Sequence, residues 1–229
     1  RRALHAASGS GLWIGRPTEF PGSRPIEFEP ELGEDFGQLR EWPRENVVKL
    51  LVFCHPDDDV DTKKTQEERV KRLFTAARRN DLEFLLEVIP SKVGPVDDMT
   101  TPKLIQQFYD VGVFPDWWKL EPFKTDAAWF NAVEAIERND PRTRGIVVLG
   151  LDAPQSELAA SFALAARQPL VKGFAVGRTI FGDAARAWMQ NEMSDADAVD
   201  HMAARFAGLC DVWDAARVDA RLNREKANG

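Results

Sequence analysis

The sequence predicts an α/β fold built on a parallel sheet, and three observations support this prediction. Short, continuously apolar segments alternate along the chain with longer segments of helical periodicity. Continuously apolar strands are typical of parallel sheets that helices cover on both faces. The 229 residues are 44% hydrophobic, which is enough for the core of a single domain spanning residues 1–229. Two architectures satisfy these observations: a doubly wound open sheet and a (β/α)8 barrel.

Six strands are predicted from apolar runs that are bounded by turn-forming residues. The first, residues 12–15, is short and lies within residues 1–46, a stretch rich in Gly and Pro that is otherwise predicted to be irregular. The other five span residues 47–53, 82–89, 115–120, 145–151 and 170–176. A (β/α)8 barrel needs eight strands, so two are missing if the barrel is correct.

Helices are predicted between these strands, over residues 61–80, 101–111, 126–138 and 156–167. Asp61 or Thr62 is expected to cap the first of them. Thr101 is expected to cap the second, with Pro102 as its first helical residue and Gly112 just beyond its end.

The last part of the chain is predicted to be one further helix. Ser194 and Asp197 have the spacing of a capping box and mark its beginning. Six apolar residues three or four positions apart are expected to face the core: Val199, Met202, Phe206, Leu209, Trp213 and Ala216.

The composition argues against several classes of protein. A net charge of −7 disfavours nucleic acid as the main partner, and no apolar stretch reaches the length of a membrane span. Cys54 and Cys210 are too few and too far apart for a disulfide framework or a zinc site, so a reducing cytoplasm is the expected compartment. The chain opens at Arg1 with neither a methionine nor the apolar segment of a signal peptide, so we expect the native start to lie upstream.

Three successive strands each carry one charged residue inside an apolar run: Lys49, Glu87 and Lys119. An ionised group in a strand covered on both faces costs several kcal/mol of desolvation unless partners satisfy it. If the strands are neighbours, both ammonium groups and the carboxylate converge on one pocket. A second ammonium and dry surroundings lower the pKa of a lysine, so that its neutral amine can attack a carbonyl, while the carboxylate moves protons. A structural Lys–Glu–Lys ion network inside a barrel is the alternative.

Strand alternation extends this candidate site by two residues. Lys49, Leu51, Phe53 and His55 share one face, and so do Trp117, Lys119 and Glu121. His55 therefore lies at a strand's C-terminal end, where a contact with substrate is plausible. For Glu121 two interpretations remain open, a role in the site and simple solvation at the end of its strand.

His55 also begins the sequence His-Pro-Asp-Asp-Asp, whose imidazole and carboxylates are metal-ligating groups. No second histidine lies nearby in the sequence, so we favour an exposed acidic loop that caps the next helix and expect no metal site. Cys54 alternates to the face opposite Lys49 and is expected to be a small core residue.

A candidate phosphate site lies where the last predicted strand passes into a helix. Gly177 and Arg178 stand at this junction, where backbone N–H groups and a guanidinium are able to bind an anion together. Phosphate sites in barrels lie on the loops after strands 7 and 8, and Gly150, in the preceding loop, lets backbone approach a ligand closely. An ordinary turn before a helix is the alternative interpretation.

Five segments together resemble a known enzyme family: VVKLLVFCHPDDD, LEFLLEVIPSK, PDWWKLEP, GIVVLGLDAP and FAVGRTIFGDAARAW. In order and context they resemble the aldolase domain of bacterial myo-inositol catabolism. That domain is often the C-terminal part of a bifunctional 5-dehydro-2-deoxygluconokinase/5-dehydro-2-deoxyphosphogluconate aldolase. More distantly, the pattern is similar to class I tagatose-bisphosphate aldolases. The resemblance covers essentially the whole chain.

The resemblance implies a TIM (β/α)8 barrel of which this chain lacks the first two strands, together with an aspartate that the first of them carries. It implies that Lys119 is the Schiff-base lysine, with Glu87 and Lys49 as its catalytic neighbours and Lys49 lowering its pKa. It also implies that Gly177 and Arg178 bind phosphate. The chain departs from the pattern at residues 150–152, where Gly-Leu-Asp replaces a Ser-Gly turn.

The substrate implied by the resemblance is 2-deoxy-5-keto-gluconate 6-phosphate, which the reaction cleaves to dihydroxyacetone phosphate and malonate semialdehyde. The substrate carboxylate needs a cation of its own, for which Arg16 and Arg24 are candidates beside the alternative that they are loop-anchoring arginines. No cofactor or metal is expected, because the imine replaces the Lewis acid. A homo-oligomer is expected, and an upstream kinase domain in the full-length protein is consistent with the resemblance.

Three other functions are weighed against a class I aldolase. A sugar-phosphate-binding or regulatory domain attached to a kinase keeps the barrel without the catalysis. A metal-dependent aldolase or phosphatase uses His55 and the aspartates that follow it. A doubly wound nucleotide-binding domain is disfavoured, because no Gly-rich phosphate fingerprint follows the first long strand.

Overall fold

The computed structural model describes residues 2–151 and 153–227. These residues form two compact units. The first unit comprises the described residues up to Lys119 and residues 134–145. The second unit comprises residues 120–133 and the described residues from 146 onward. The first four strands pair with one another in parallel, and so do the last two, which confirms the α/β class. Six strands are found in this part of the chain, the number predicted.

The first unit is organised around four parallel strands in the order β1-β2-β3-β4. They are β1 (Ile14–Pro17), β2 (Asn46–Val52), β3 (Glu83–Val88) and β4 (Trp117–Leu120), whose last residue is counted with the second unit. Strand β1 begins two residues later than predicted. The apolar residues Leu12 and Trp13, which suggested the earlier start, are largely exposed.

Three helices lie wholly within the first unit: α1 (Arg2–Ala7), α2 (Val60–Arg79) and α3 (Thr100–Asp110). Short 3-10 turns span Pro30–Leu32, Gly37–Glu41 and Pro90–Lys92. A further helix, α4 (Asp126–Asn139), has residues in both units. Helix α1 corrects the prediction that the start of the chain is irregular, since Ala, Leu and Arg are all good helix formers.

The structure corrects both predicted helix caps in this unit. The N-cap of α2 is Asp59, whose carboxylate accepts the backbone N–H of Thr62 at 2.9 Å, so Asp61 and Thr62 both lie inside the helix. Helix α3 begins at Thr100, which places Thr101 within its first turn. Pro102 is tolerated there because the first-turn N–H groups have no intrahelical acceptor. Gly112 does follow the end of α3, with φ of 81°.

Replacing Asp59 by Ala is expected to lower the urea midpoint of unfolding, since the first turn of α2 loses its side-chain acceptor. The same hydrogen bonds from Thr62 lower the pKa of Asp59, so this contribution is present above the ordinary aspartate pKa and lost as the pH falls through the lowered one. Asp61→Ala is the matched control and is expected to shift the midpoint less. Equal shifts for the two variants would contradict the cap assignment.

The sheet of the first unit is strongly curled. The rings of Trp13, just before β1, and Trp117, at the start of β4, meet edge to face with centroids 5.1 Å apart. Strands three positions apart in a flat sheet are separated by roughly 14 Å. The curvature therefore turns one face of the sheet inward, and the odd-numbered residues of β2, β3 and β4 lie on that inner face.

The opposite face packs against helices and forms the main core of the unit. Phe84, Phe108 and Trp118 are fully buried there. The indole Nε1–H of Trp118 donates to the hydroxyl of Tyr109 at 3.0 Å, so the polar atom of this buried ring has a partner.

The second unit contains the parallel pair β5 (Gly145–Leu149) and β6 (Val171–Ala175), of which Gly145 is counted with the first unit. Its helices are α5 (Gln155–Ala165), α6 (Arg178–Met189) and α7 (Asp195–Ala227). Phe162 packs on Phe174 and Trp213, with centroids 4.8 and 5.5 Å away. Every helix among residues 2–151 and 153–227 is too short or too polar to cross a membrane.

Helix α7 confirms the Ser194 half of the predicted capping box and corrects part of the predicted stripe. The backbone N–H of Asp197 donates to Ser194 Oγ at 3.2 Å. Leu209 and Trp213 are buried as predicted, but Val199 and Phe206 are 64% and 51% exposed. The helix has 33 residues, whereas its packing partners α5 and α6 have only 11 and 12, so part of its apolar surface has no helix of the unit to cover it.

Candidate active site

Lys49, Glu87 and Lys119 converge on the inner face of the first unit's sheet. In the register of the strands Glu87 stands opposite Lys119, and Leu51, two residues beyond Lys49, stands opposite Glu87. Since alternate residues of a strand point to the same face, the three side chains are neighbours. Glu87 and Lys119 lie near the C-terminal ends of β3 and β4, the end at which parallel α/β proteins place their active sites.

The carboxylate of Glu87 bridges the two ammonium groups. Its Oε1 is 2.9 Å from Lys119 Nζ, and its Oε2 is 2.9 Å from Lys49 Nζ. The Glu87 side chain is 5% exposed, and those of Lys49 and Lys119 are 17% and 18% exposed. Solvent therefore screens these contacts little, and the structure brings together the three residues that the sequence singled out.

A fourth charged residue, Glu19, belongs to this cluster and was not predicted. Its Oε1 accepts a hydrogen bond from Lys49 Nζ at 2.6 Å, and its Oε2 accepts the backbone N–H of Leu51 at 3.2 Å. Glu19 lies two residues beyond the end of β1, in the stretch predicted to be irregular. A signal was present, because continuing the alternation from Gly15 through Pro17 places residue 19 on the inner face.

The environment of Lys49 keeps it positively charged. Burial alone lowers its pKa, but the charges of Glu87 and Glu19 and the hydrogen bonds to both carboxylates outweigh burial, so the pKa of Lys49 is raised above its ordinary value. Among the described residues Lys49 is paired with two carboxylates and Lys119 with one. The cluster thus contains one firmly held ammonium beside a second lysine that is less constrained.

Backbone groups hold the ring of His55 in place. Its Nδ1 accepts the backbone N–H of Asp57 at 3.2 Å, which leaves Nε2 to donate to the carbonyl of Pro95 at 2.9 Å. Gly94 packs on the ring, where an added Cβ would lie 3.3 Å from it. Backbone groups thus engage both ring nitrogens, and the contact between His55 and substrate stays a prediction.

Neither candidate for the substrate carboxylate is placed to bind it. Arg16 stands opposite Val48 rather than Lys49, so it lies on the outer face of the sheet, where its guanidinium stacks on Trp42 at 3.7 Å. Arg24 forms an ion pair with Asp58, and its Nε donates to the carbonyl of Phe53 at 3.2 Å. Of the two interpretations left open for these arginines, the structure supports the second, in which both anchor loops.

The residues predicted to bind phosphate lie in the second unit. Arg178 is the first residue of α6 and is exposed, and Gly177 precedes it as the N-cap residue. Gly150 faces Val176, whose Cγ1 lies 2.8 Å from the position of an added Cβ, so close packing of backbone against that side chain requires glycine there. Asp152, part of the predicted turn, lies outside the described residues.

Two further predictions concern Glu121 and the acidic loop. Glu121 is buried, so the interpretation that it is simply solvated at a strand end is wrong. In the acidic loop Asp59 caps α2 and Asp58 pairs with Arg24. No group of three or more His, Cys, Asp and Glu side chains within residues 2–151 and 153–227 is arranged to hold a metal ion.

Comparison with solved structures defines the class of fold. The chain is similar to fructose-bisphosphate aldolase from Plasmodium falciparum, solved as a ternary complex with TRAP and a small molecule inhibitor. The TM-score is 0.62, the sequence identity is 14%, and the match covers 95% of this chain and 71% of that one. The fold is therefore that of an aldolase-like α/β protein.

The family follows from a match between the chain and a family model over residues 1–217. The chain belongs to this family, which is described as "Uncharacterized protein conserved in bacteria (DUF2090)". A search of curated proteins finds no match.

Proposed function

We propose that this protein is a class I aldolase in which Lys119 forms an imine with a ketone substrate. The observation that carries the proposal is the buried Glu87 carboxylate held between two partly buried lysines, in a fold similar to that of an aldolase. A pair of lysines bridged by one carboxylate supplies a nucleophile, a proton carrier and a fixed positive charge at one place.

Lys119 is the better candidate for the nucleophile. An imine requires a neutral amine, and Lys49 is held as an ammonium by two carboxylates, with a raised pKa. Lys119 Nζ contacts one oxygen of Glu87, Oε1, at 2.9 Å. The nucleophile therefore comes from β4 and the fixed charge from β2.

Glu87 is placed to move the protons of imine formation. After Lys119 Nζ attacks the ketone carbon, the resulting carbinolamine loses its hydroxyl as water, which requires a proton donor at that oxygen. Glu87 Oε1, 2.9 Å from Lys119 Nζ, takes the proton that the amine loses and returns it to the departing hydroxyl. The ammonium of Lys49 stabilises the oxyanion that develops during the attack.

The imine then allows the carbon–carbon bond to break. A base removes the proton of the hydroxyl group on the carbon beyond the bond to be cleaved, and that carbon becomes an aldehyde. The electron pair of the broken bond moves to the protonated imine and gives an enamine. Protonation of the enamine and addition of water to the imine release the ketone product and regenerate the free lysine.

We propose 2-deoxy-5-keto-gluconate 6-phosphate as the substrate, with dihydroxyacetone phosphate and malonate semialdehyde as products. The support is the resemblance of five sequence segments to the aldolase of myo-inositol catabolism. We also propose that the N-terminus of α6, with Gly177 and Arg178, binds the substrate phosphate through backbone N–H groups and the guanidinium.

Arg178→Ala is expected to weaken the use of dihydroxyacetone phosphate, because a charge-assisted contact to phosphate is lost. The concentration that gives the half-maximal rate of adduct formation should rise by about ten- to a hundredfold. The concentration needed for unphosphorylated dihydroxyacetone should stay unchanged. Arg186→Ala, in the same helix, is the matched control and should behave as wild type. An equal loss for both ligands would contradict a role in phosphate binding.

Reduction with borohydride tests the proposed function. The protein is incubated with dihydroxyacetone phosphate, reduced and weighed by mass spectrometry of the intact chain, and its cleavage of the keto acid phosphate is followed separately. One stable adduct per chain and release of dihydroxyacetone phosphate are expected. Unmodified protein that still binds the phosphorylated ligand would contradict the aldolase and favour a sugar-phosphate-binding domain.

A further inference from the structure

Glu19 approaches the lysine cluster from the loop that follows β1 and uses its two carboxylate oxygens differently. Oε1 is 2.6 Å from Lys49 Nζ, whereas Oε2 accepts the backbone N–H of Leu51 at 3.2 Å. The side chain is only 11% exposed. An ionised carboxylate so enclosed is stable only where partners of this kind satisfy it.

The backbone around Glu19 is fixed on both sides. Both the N–H and the hydroxyl of the preceding Thr18 donate to the carbonyl of Lys49, at 3.1 and 2.8 Å. Glu19 pairs with Phe28 in an antiparallel bridge, and the N–H of Phe20 donates to the carbonyl of Glu27 at 2.7 Å. The carboxylate is therefore presented by an ordered segment that is tied directly to the residue it contacts.

Lys49 is consequently held from two directions. Glu19 contacts its Nζ from the loop after β1, and Glu87 contacts it from β3 at 2.9 Å. Among the described residues these are the two acidic groups that face Lys49, and Lys119 on β4 reaches it through Glu87. The contacts with two carboxylates restrict the position of the Lys49 ammonium beside Glu87, and they also stabilise its charged form.

We propose that Glu19 is a positioning residue of the aldolase reaction, which holds Lys49 as an ammonium directed at Glu87 and so leaves the second Glu87 oxygen to Lys119. This inference rests on the proposed function. In this proposal Glu19 keeps Lys49 charged, while Lys119 on β4 acts as the nucleophile.

A purely structural role is the competing explanation, since Glu19 also fastens the loop to β2 through Leu51. Glu19→Gln separates the two. The amide oxygen of Gln still accepts the Leu51 N–H, but the negative charge beside Lys49 is gone. If the role of Glu19 is only structural, this change leaves the pH profile of the reaction as in the wild type, whereas a positioning role makes the profile shift.

The test is the pH profile of adduct formation with dihydroxyacetone phosphate and borohydride, from about pH 7 to 10.5, with circular dichroism at each pH. Wild-type protein is expected to keep its rate up to about pH 10, because Lys49 retains its proton there. Glu19→Gln is expected to lose rate at a lower pH than the wild type, because one of the charges that raise the pKa of Lys49 is gone. Glu27→Gln, an exposed acid on the same loop, is the matched control and should follow the wild type.

The outcomes separate the two proposals. If the wild type is labelled and Glu19→Gln has the same pH profile of adduct formation, the role of Glu19 is overturned, but the proposed aldolase function is not. A wild type that takes up no label would overturn both. If Glu19→Gln does not fold, Glu19→Asp keeps the charge but withdraws it by one methylene, and a smaller shift in the same direction is expected. An unchanged profile for the folded Asp variant would also overturn the proposal.

Discussion

Lys119→Met is expected to abolish adduct formation and to reduce turnover by about ten-thousand-fold or more, because no other group replaces the covalent nucleophile. Methionine keeps much of the volume of the lysine stem on the inner face of the sheet. Glu87 retains its contact with Lys49, at 2.9 Å, so the protein should still fold. Intact-mass spectrometry after borohydride reduction and a turnover assay on the keto acid phosphate measure the two effects.

Lys172→Met is the matched control for this variant. Lys172 is also a strand lysine, in β6, but it is exposed and its Nζ donates to the carbonyl of Pro169. This control should be labelled and should turn over substrate as the wild type does. A folded Lys119→Met protein that forms the adduct at the wild-type rate would contradict the mechanism.

Lys49→Met is expected to destabilise the protein by about 3 kcal/mol, because it leaves two enclosed carboxylates without the cation between them. Glu19 and Glu87 are 11% and 5% exposed, so water compensates little for the lost charge. Urea unfolding at neutral pH measures the difference, again with Lys172→Met as the control. A midpoint equal to that of the wild type would contradict a stabilising role for this ammonium.

The pH dependence of this difference has a definite sign. The pKa of Lys49 is raised in the folded state above its ordinary value of 10.5. The stability that its charge contributes is therefore fully present below about pH 10.5 and is lost as the pH rises through the folded-state pKa. The gap between wild type and Lys49→Met should stay constant around neutrality and shrink in strong alkali. A gap that persists undiminished into strong alkali would contradict this assignment of charge.

Strand alternation predicted the part of the site that lies within regular structure. Lys49, Glu87 and Lys119 were identifiable because a charge inside an apolar run is costly, and because neighbouring parallel strands align their residues. The positions of β2 and β3 followed from the same apolar runs, to within one residue at either end. The local sequence pattern was sufficient to predict a site residue wherever strand alternation alone determines the face on which its side chain lies.

Residues outside β2, β3 and β4 could not be assigned to the site from alternation alone. Glu19 lies beyond the end of a short strand, and only the register of β1 against β2 places it beside Lys49. Arg16 was a candidate for the site because the sequence does not give that register. The register places Arg16 opposite Val48, on the other face of the sheet. His55 occupies a suitable strand end, but its ring nitrogens are engaged by backbone groups whose position depends on tertiary structure.

The central claim, that the lysine on β4 and not the one on β2 is the nucleophile, is tested most directly by locating the modified residue. Protein reduced with borohydride in the presence of dihydroxyacetone phosphate is digested, and the peptides are sequenced by mass spectrometry. We expect the adduct on Lys119 and an unmodified Lys49. An adduct on Lys49, or on neither lysine, would contradict it.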